Sequence, residues 1–326
     1  MAQKQSCLPG LVAWLLAVGT VAVTAIALVT SRYGWPINLE IFSHFQRQYR
    51  QDSWIALGGI VLTRRALPAL VALACVAALT MQVLPWYLPP HFLTMGDRGD
   101  LRVLISNVNT QNMNYEAVLN FTRQEDPDIA LFMEVDDGWI AQLQTLTVEL
   151  PYASENATPY SSGIALYSRY PLQAEVIDFS DASTPSITAT VDFNGQPLSL
   201  LGTHPLPPVK PTFFHSRNQQ LDLMGQYLQT IDGAKIVFGD FNMTMWSPYH
   251  RRFMRQADLT NTRDGFGIRP SWPTKNAYRP IPGWLIRLLT IPIDQCFVTA
   301  DLRVSNVHIG PNVSSDHYPV VFDLML

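Results

Sequence analysis

Cysteine is scarce in this 326-residue chain: Cys7, Cys75 and Cys296 are the only three. Two of them fall in the first ninety residues, so no disulfide can form within the C-terminal part. No Cys-x-x-Cys pair offers a thiolate metal site either. Charge is sparse too, at 15% of residues, and unevenly spread. Residues 8–30 carry none, and neither do residues 66–88. At about 1.5 Å of rise per residue, each stretch is long enough to cross a bilayer as a helix. A basic excess is missing from the C-terminal part: from Asp97 onward, 16 Lys+Arg face 24 Asp+Glu, a net of −8. An acidic domain is a poor electrostatic match for long nucleic acid.

Two membrane spans are therefore expected, with residues 53–63 (SWIALGGIVLT) as a third, shorter candidate. A cleaved signal peptide is the competing reading of residues 8–30. No small-x-small site separates that run from Ser31-Arg32-Tyr33, and the downstream span would retain the chain regardless. Arg32, Arg47, Arg50, Arg64 and Arg65 lie between the two long spans. Basic loops stay cytoplasmic, so the chain after Leu88 is expected on the opposite side, as a multi-pass membrane protein with an extracytoplasmic domain. The expected division is a transmembrane region over residues 1–88, a Pro- and Gly-containing linker over 89–100, and a folded domain over 101–326.

Within that domain, short apolar runs alternate with helical patterns. Strands are expected at 101–106, 129–135, 164–167, 186–193, 197–202, 235–238, 297–299, 303–309 and 318–324. Helices are expected at 115–123, 139–146, 213–230 and 246–256. Asn194-Gly195 marks a tight hairpin between two of the strands. Hairpins together with helical crossovers give a mixed sheet system, not a purely parallel one.

Four polar clusters stand at ends of these runs. Glu134 closes the apolar run Ile129-Ala130-Leu131-Phe132-Met133, where a carboxylate must be solvated, paired or metal-bound. Asp240 and Asn242 follow Gly239 at the end of a strand. An ordinary turn cap competes with a proton- or cation-binding role there. His204 follows Thr203 and precedes a Pro-rich loop. Asp316-His317 opens the last strand, and Asp294 lies at a loop-to-strand junction, where a carboxylate can orient an imidazole. Alone, each is an ordinary strand end. Together they suggest one site for a metal ion and a phosphate.

The ensemble resembles the endonuclease/exonuclease/phosphatase superfamily over roughly residues 101–326. Seven motifs stand in family order: Ser106-Asn107-Val108, the run from Pro127 to Val135, Ser162 to Pro171, Thr203-His204, Gly239 to Asn242, Ile293-Asp294 and Ser315-Asp316-His317. The helix carrying Arg217-Asn218-Gln219-Gln220-Leu221 also looks familial. The resemblance implies an α/β fold, a two-sheet four-layer sandwich like that of deoxyribonuclease I, here preceded by transmembrane helices. It implies Glu134 as main Mg²⁺ ligand, with Asn107 and Asp316 near the metal and Mn²⁺ as the alternative ion. His204 and Asn242 would hold phosphate oxygens, Asp240 would orient or deprotonate water, and Asp294 would pair with His317 near the transition state. Met133 stands where many members have Gln, and Gln295 where many have His; neither removes a catalytic group. His204 stands where some nucleases have Tyr, closer to the deoxyribonuclease and sphingomyelinase branches.

The expected activity is that of a membrane-anchored, metal-dependent phosphoesterase acting on a phosphodiester or phosphomonoester, with a lipid headgroup among the candidates. An endonuclease acting on DNA or RNA is the alternative, and an inactive binding module the less favoured one. Between Asp264 and Asp294 lies a loop rich in Trp, Pro and Arg. It reads either as a lid over substrate or bilayer, or as a packed surface loop.

Overall fold

A computed structural model of the chain describes residues 8–33, 36–93, 98–277 and 280–326. Cys7 and the Gly96-Asp97 pair of the expected linker lie outside them. Two compact units result: Met1–Pro85 with Trp246–Pro248, and Trp86–Met245 with Tyr249–Leu326.

The first unit holds α1 (Leu8–Arg32), the single turn α2 (Ile37–Glu40), α3 (Gln46–Leu62) and α4 (Ala66–Val83). The 53–63 stretch lies within or just beyond α3, which starts well before it with polar residues. Two helical stretches, Leu8–Arg32 and Ala66–Tyr87, are long and apolar enough to cross a membrane. Their packing inverts that of a water-soluble bundle. Small residues such as Ala13, Ala17, Ala27 and Ala72 are buried between helices, while Leu11, Leu15, Val18, Leu67 and Leu70 are exposed. The hydroxyls of Thr20, Thr24 and Thr30 donate back to carbonyls one turn earlier, so they leave no bare polar group on the helix.

The second unit begins with β1 (Leu101–Asn107), α5 (Tyr115–Glu125), β2 (Ile129–Met133), α6 (Asp137–Leu143), β3 (Tyr152–Asn156), β4 (Ile164–Ser168) and β5 (Leu172–Asp178). It continues through β6 (Pro185–Phe193), β7 (Gln196–Thr203), α7 (Pro211–Leu228), β8 (Ala234–Asp240), α8 (Pro248–Ala257) and β9 (Thr260–Asn261). The single turn α9 (Gly283–Ile286), β10 (Asp294–Val298), β11 (Arg303–Ile309) and β12 (Val320–Met325) complete it.

These strands form two six-stranded sheets, ordered β11-β12-β1-β2-β4-β3 and β5-β6-β7-β8-β10-β9. Each sheet has one parallel pair, β1 with β2 and β7 with β8, bridged by α5 and α7 respectively. Every other pairing is antiparallel, which makes the sheets mixed. Asn194 and Gly195 both take positive φ at the β6–β7 turn, as a two-residue hairpin of that twist requires.

Alternation along the strands divides the core. Val103, Ile105, Ile129 and Leu131 face Ile187, Leu198, Leu200, Ile236 and Phe238 between the sheets. On the outer face of the first sheet, Leu104 and Phe132 pack with Val118 and Trp139 of α5 and α6. On the outer face of the second, Leu201, Val237 and Phe297 pack with Leu221, Met224 and Phe253 of α7 and α8. The result is a helix–sheet–sheet–helix sandwich, the four-layer α/β fold that the sequence motifs imply. Central strands covered on both faces explain why β2 and β4 read as continuous apolar runs.

Three strands escape a sequence reading: the two-residue β9, β3 and β5. β3 is partly polar, and β5 has exposed residues along most of its length. Both lie where neither alternation nor an apolar run marks a strand; pairing with β4 and β6 makes them strands.

Candidate active site

Topology gathers the polar clusters. In each sheet the parallel strands end at the edge where their antiparallel neighbours begin. Asn107 ends β1 opposite Met133, Thr203 ends β7 opposite Gly239, and Asp240 ends β8 opposite Asp294, the first residue of β10. Glu134 follows β2 and Asp316-His317 precedes β12, so residues more than two hundred positions apart meet.

Local backbone then aims the groups. Gly239 has φ +147°, and a Cβ there would lie 1.9 Å from the Thr203 carbonyl oxygen. Only glycine fits that approach, which sets the direction of Asp240. Glu134 and Asn242 take left-handed backbone, with φ +61° and +49°. For Glu134 this is a strained state costing of order 1–3 kcal/mol. It is held from both sides, by its N–H donating to Gly163 O at 2.8 Å and its carbonyl accepting from Thr110 Oγ1 at 2.9 Å.

Asn107 sits at the centre. Its Nδ2 donates to Glu134 Oε1 at 2.9 Å and to Asp240 Oδ2 at 3.3 Å, and lies 3.5 Å from His317 Nε2. Asp240 Oδ2 also faces His204 Nε2 at 3.5 Å and His317 Nε2 at 3.6 Å, while its Oδ1 accepts from the Asn242 N–H at 2.9 Å. His317 Nδ1 pairs with Asp294 Oδ2 at 2.8 Å. Ser315 Oγ ties the last motif to the first, donating to Asn107 O at 2.7 Å and accepting from His317 N. Asn242 Nδ2 donates to Pro205 O at 3.0 Å, next to His204.

All eight predicted residues thus lie in one connected region, seven of them in a direct hydrogen-bond or charge network. Asp316 is reached differently. Its Oδ1 accepts from Asn109 Nδ2 at 2.7 Å and its Oδ2 from Trp272 Nε1 at 3.4 Å.

Charge follows geometry. Burial alone disfavours an imidazolium at His317, but the carboxylates of Asp294 and Asp240 outweigh it and push the group up to about 10. His204 is also raised: burial opposes the charge, and the hydrogen bond and charge of Asp240 more than offset it. Burial would raise Asp240, yet His317, His204 and the Asn242 amide hold its carboxyl below the usual range. The ligating atoms of Asp240, Asp294 and His317 lie within 4.8 Å of one another. With the imidazole between two carboxylates, that trio is built to hold a proton.

The sequence motifs do not mark Asn109, Thr110 and Trp272 as site residues. A signal for Asn109 does lie in the run Asn107-x-Asn109-x-x-Asn112-x-Asn114, a series of Asx turns in which the side chains of Asn107, Asn109 and Asn112 accept from backbone two residues on. Trp272 gives no local signal, because its partner is 44 positions away. Arg217, on the motif of α7, is buried and donates to Asn242 O at 3.1 Å, supporting the loop that carries Asn242.

A two-sheet sandwich with acids, amides and imidazoles converging at one sheet edge defines a class of phosphate-ester hydrolases. The chain belongs to the Endonuclease/Exonuclease/phosphatase family, whose sequence pattern matches residues 104–317. No curated protein matches it. Among solved structures it is similar to D. rerio TDP2 complexed with single strand DNA product, at 16% identity and TM-score 0.58, covering 69% of this chain and 98% of that one. The 3′ phosphatase NExo from Neisseria, bound to product DNA hairpin, aligns at 19% identity and TM-score 0.55, over 68% of this chain and 98% of that one. A Staphylococcus aureus beta toxin mutant with bound magnesium ions aligns at 15% identity and TM-score 0.50, over 69% and 99%.

Proposed function

We propose that the chain is a membrane-anchored, metal-dependent phosphoesterase that hydrolyses a phosphodiester or phosphomonoester by in-line attack of water. Its transmembrane region would span residues 1–88, its linker 89–100 and its extracytoplasmic catalytic domain 101–326. The observation that carries the reading is the convergence of two imidazoles and the Asn107 amide on Asp240 Oδ2. Asp240 receives the proton of the attacking water as its oxygen bonds to phosphorus. His317, held by Asp294, neutralises the phosphoryl oxygens and supplies a proton to the leaving oxygen as the ester P–O bond breaks. His204 and Asn242 grip the non-reacting oxygens. Such a reaction needs positioning and charge neutralisation more than covalent help.

The donor set fits a hard divalent cation. Glu134, Asp316 and Asn107 offer oxygen ligands, and Glu134 Oε2 takes no hydrogen bond among the described residues. When bound, Mg²⁺, or Mn²⁺ in its place, supplies positive charge at the phosphate oxygens. Membrane anchoring is supported by the small-inside, large-outside packing of α1 and α4. A nuclease reading draws on the DNA-bound neighbours, and the net charge of −8 counts against it.

The test is a phosphoester panel with purified full-length chain in detergent, with Mg²⁺ and with Mn²⁺. Hydrolysis of a phosphoester, abolished in Glu134→Ala, is the expected result. Plasmid nicking lost in the same variant, with no turnover of small or lipid esters, would favour the nuclease.

A further inference from the structure

One segment of the catalytic unit is absorbed by neither the fold nor the reaction. The described residues 273–277 and 280–290 belong to an excursion closed at its base by the bridge between Trp272 and Ile291. Fifteen large apolar residues are exposed in residues 86–326 among those described, and five of them, Ile281, Trp284, Leu285, Leu288 and Leu289, fall within nine positions here. Trp284 is 68% exposed and Leu288 52%. Clustering of that kind marks a surface with a partner.

Beneath this rim is a cavity of about 340 Å³, lined among others by Pro273, Lys275, Trp284, Ile286, Arg287 and Tyr318. Two of its lining residues, Pro273 and Tyr318, are chain neighbours of residues at the candidate site. Trp272 donates to Asp316, Thr274 N donates to Asp316 O at 2.8 Å, and Tyr318 directly follows His317. Lys275 and Arg287 make no ion pair among the described residues, although the domain has more acids than bases. Unpaired cations beside an exposed indole and leucines match a molecule with an anionic head and apolar chains. They match a nucleic acid less well, because Lys275 and Arg287 on a negative domain give little backbone attraction and one indole among aliphatic side chains offers little stacking surface for successive bases.

We propose that this pocket and its rim form a subsite for an acylated glycerophosphate ester, that is, an anionic phospholipid. Lys275 and Arg287 meet the anionic head beside the reacting phosphate, and Trp284, Leu285 and Leu288 take the glycerol–acyl region. The inference rests on the phosphoesterase reading and names its substrate class.

Two substrate pairs differing only in acyl chains test it, with full-length chain in mixed micelles: phosphatidate against glycerol 3-phosphate, and phosphatidylglycerol against glycerophosphoglycerol. The expected wild-type preference in kcat/KM for an acylated member is at least tenfold. Lys275→Ala/Arg287→Ala and Trp284→Ser/Leu288→Ser should each cut that preference at least fivefold. No wild-type preference, or variants that keep it, would overturn the subsite. So would a single-stranded oligonucleotide turned over faster than both lipids and weakened by the same variants. A binding arm separates this from failure of the phosphoesterase reading. Brominated phosphatidate should quench a component of tryptophan emission that Trp284→Phe removes, whether or not any ester is hydrolysed. If that component is missing, the subsite is wrong even in an active enzyme.

Discussion

Asp294 shows what a single carboxylate does at this site. Its Oδ2 accepts from His317 Nδ1 at 2.8 Å, which turns Nε2 towards Asp240. Asp294→Asn keeps the shape and removes the acceptor charge. It should lower kcat by about 10²–10³-fold with little change in KM, since the imidazole loses its fixed orientation. Steady-state kinetics on whichever ester the panel identifies checks this. His250 makes the opposite case, a histidine that the reaction does not use. Burial pushes it down to about 3 against the opposing Gln295 hydrogen bond, and nearby Arg251 and Arg263 push it further. The folded state keeps it neutral while the unfolded chain binds a proton below about 6.5. Its stabilising contribution is therefore complete above about 6.5 and is lost as pH falls towards about 3, at roughly 1 kcal/mol per pH unit. Thermal unfolding near pH 7 and near pH 5.5 should show this acid sensitivity, and His250→Gln should flatten it. At this scale the sequence is legible wherever a polar residue closes an apolar run, as with Glu134, Asp240 and His204. Trp272 is illegible because its role depends on where Asp316 arrives, and the turn signal at Asn109 does not foretell its contact with Asp316.

Among the elements, β8 and its end are the most constrained. Gly239→Ala would bring a Cβ against the Thr203 carbonyl, so β7 and β8 must separate at the edge that carries His204 and Asp240. A loss of at least about 2–3 kcal/mol is expected, with activity falling further than stability explains. Gly195 also has positive φ, but open space surrounds it. Gly195→Asn, a residue that tolerates left-handed backbone, should stay within about 1 kcal/mol of wild type in thermal unfolding. The contrast separates a turn glycine from a site glycine. Central strands are legible because burial on both faces makes them continuous apolar runs. β3 and β5 are not, because pairing with β4 and β6 makes them strands and composition does not.

For the whole molecule, the proposed topology rests on the packing of the first unit and on the arginines between its long apolar helices. In sealed vesicles of known sidedness, protease added on the extracytoplasmic side should digest the region after Leu88 and spare the segment holding Arg47 and Arg50. The reverse pattern would overturn the orientation. Uncharged runs and arginine placement are properties of the chain's composition along its length, so the proposed layout rests on the residues themselves. The sandwich needs the seven motifs in order, because hairpins and crossovers alone allow several mixed folds. The exposed rim at residues 281–289 is legible as an unusual composition, but the contact of its excursion's base with Asp316, through Trp272 and Thr274, depends on the tertiary fold.

We propose above all that Glu134 holds a divalent cation used to hydrolyse a phosphate ester. The most direct test is turnover by the full-length chain after chelation and after Mg²⁺ or Mn²⁺ is restored, with Glu134→Ala measured in parallel and its unfolding temperature checked. Activity should vanish on chelation, return with the metal, and stay at least about 10²-fold lower in a folded Glu134→Ala chain. Activity indifferent to chelation, or undiminished in that variant, would contradict the proposal.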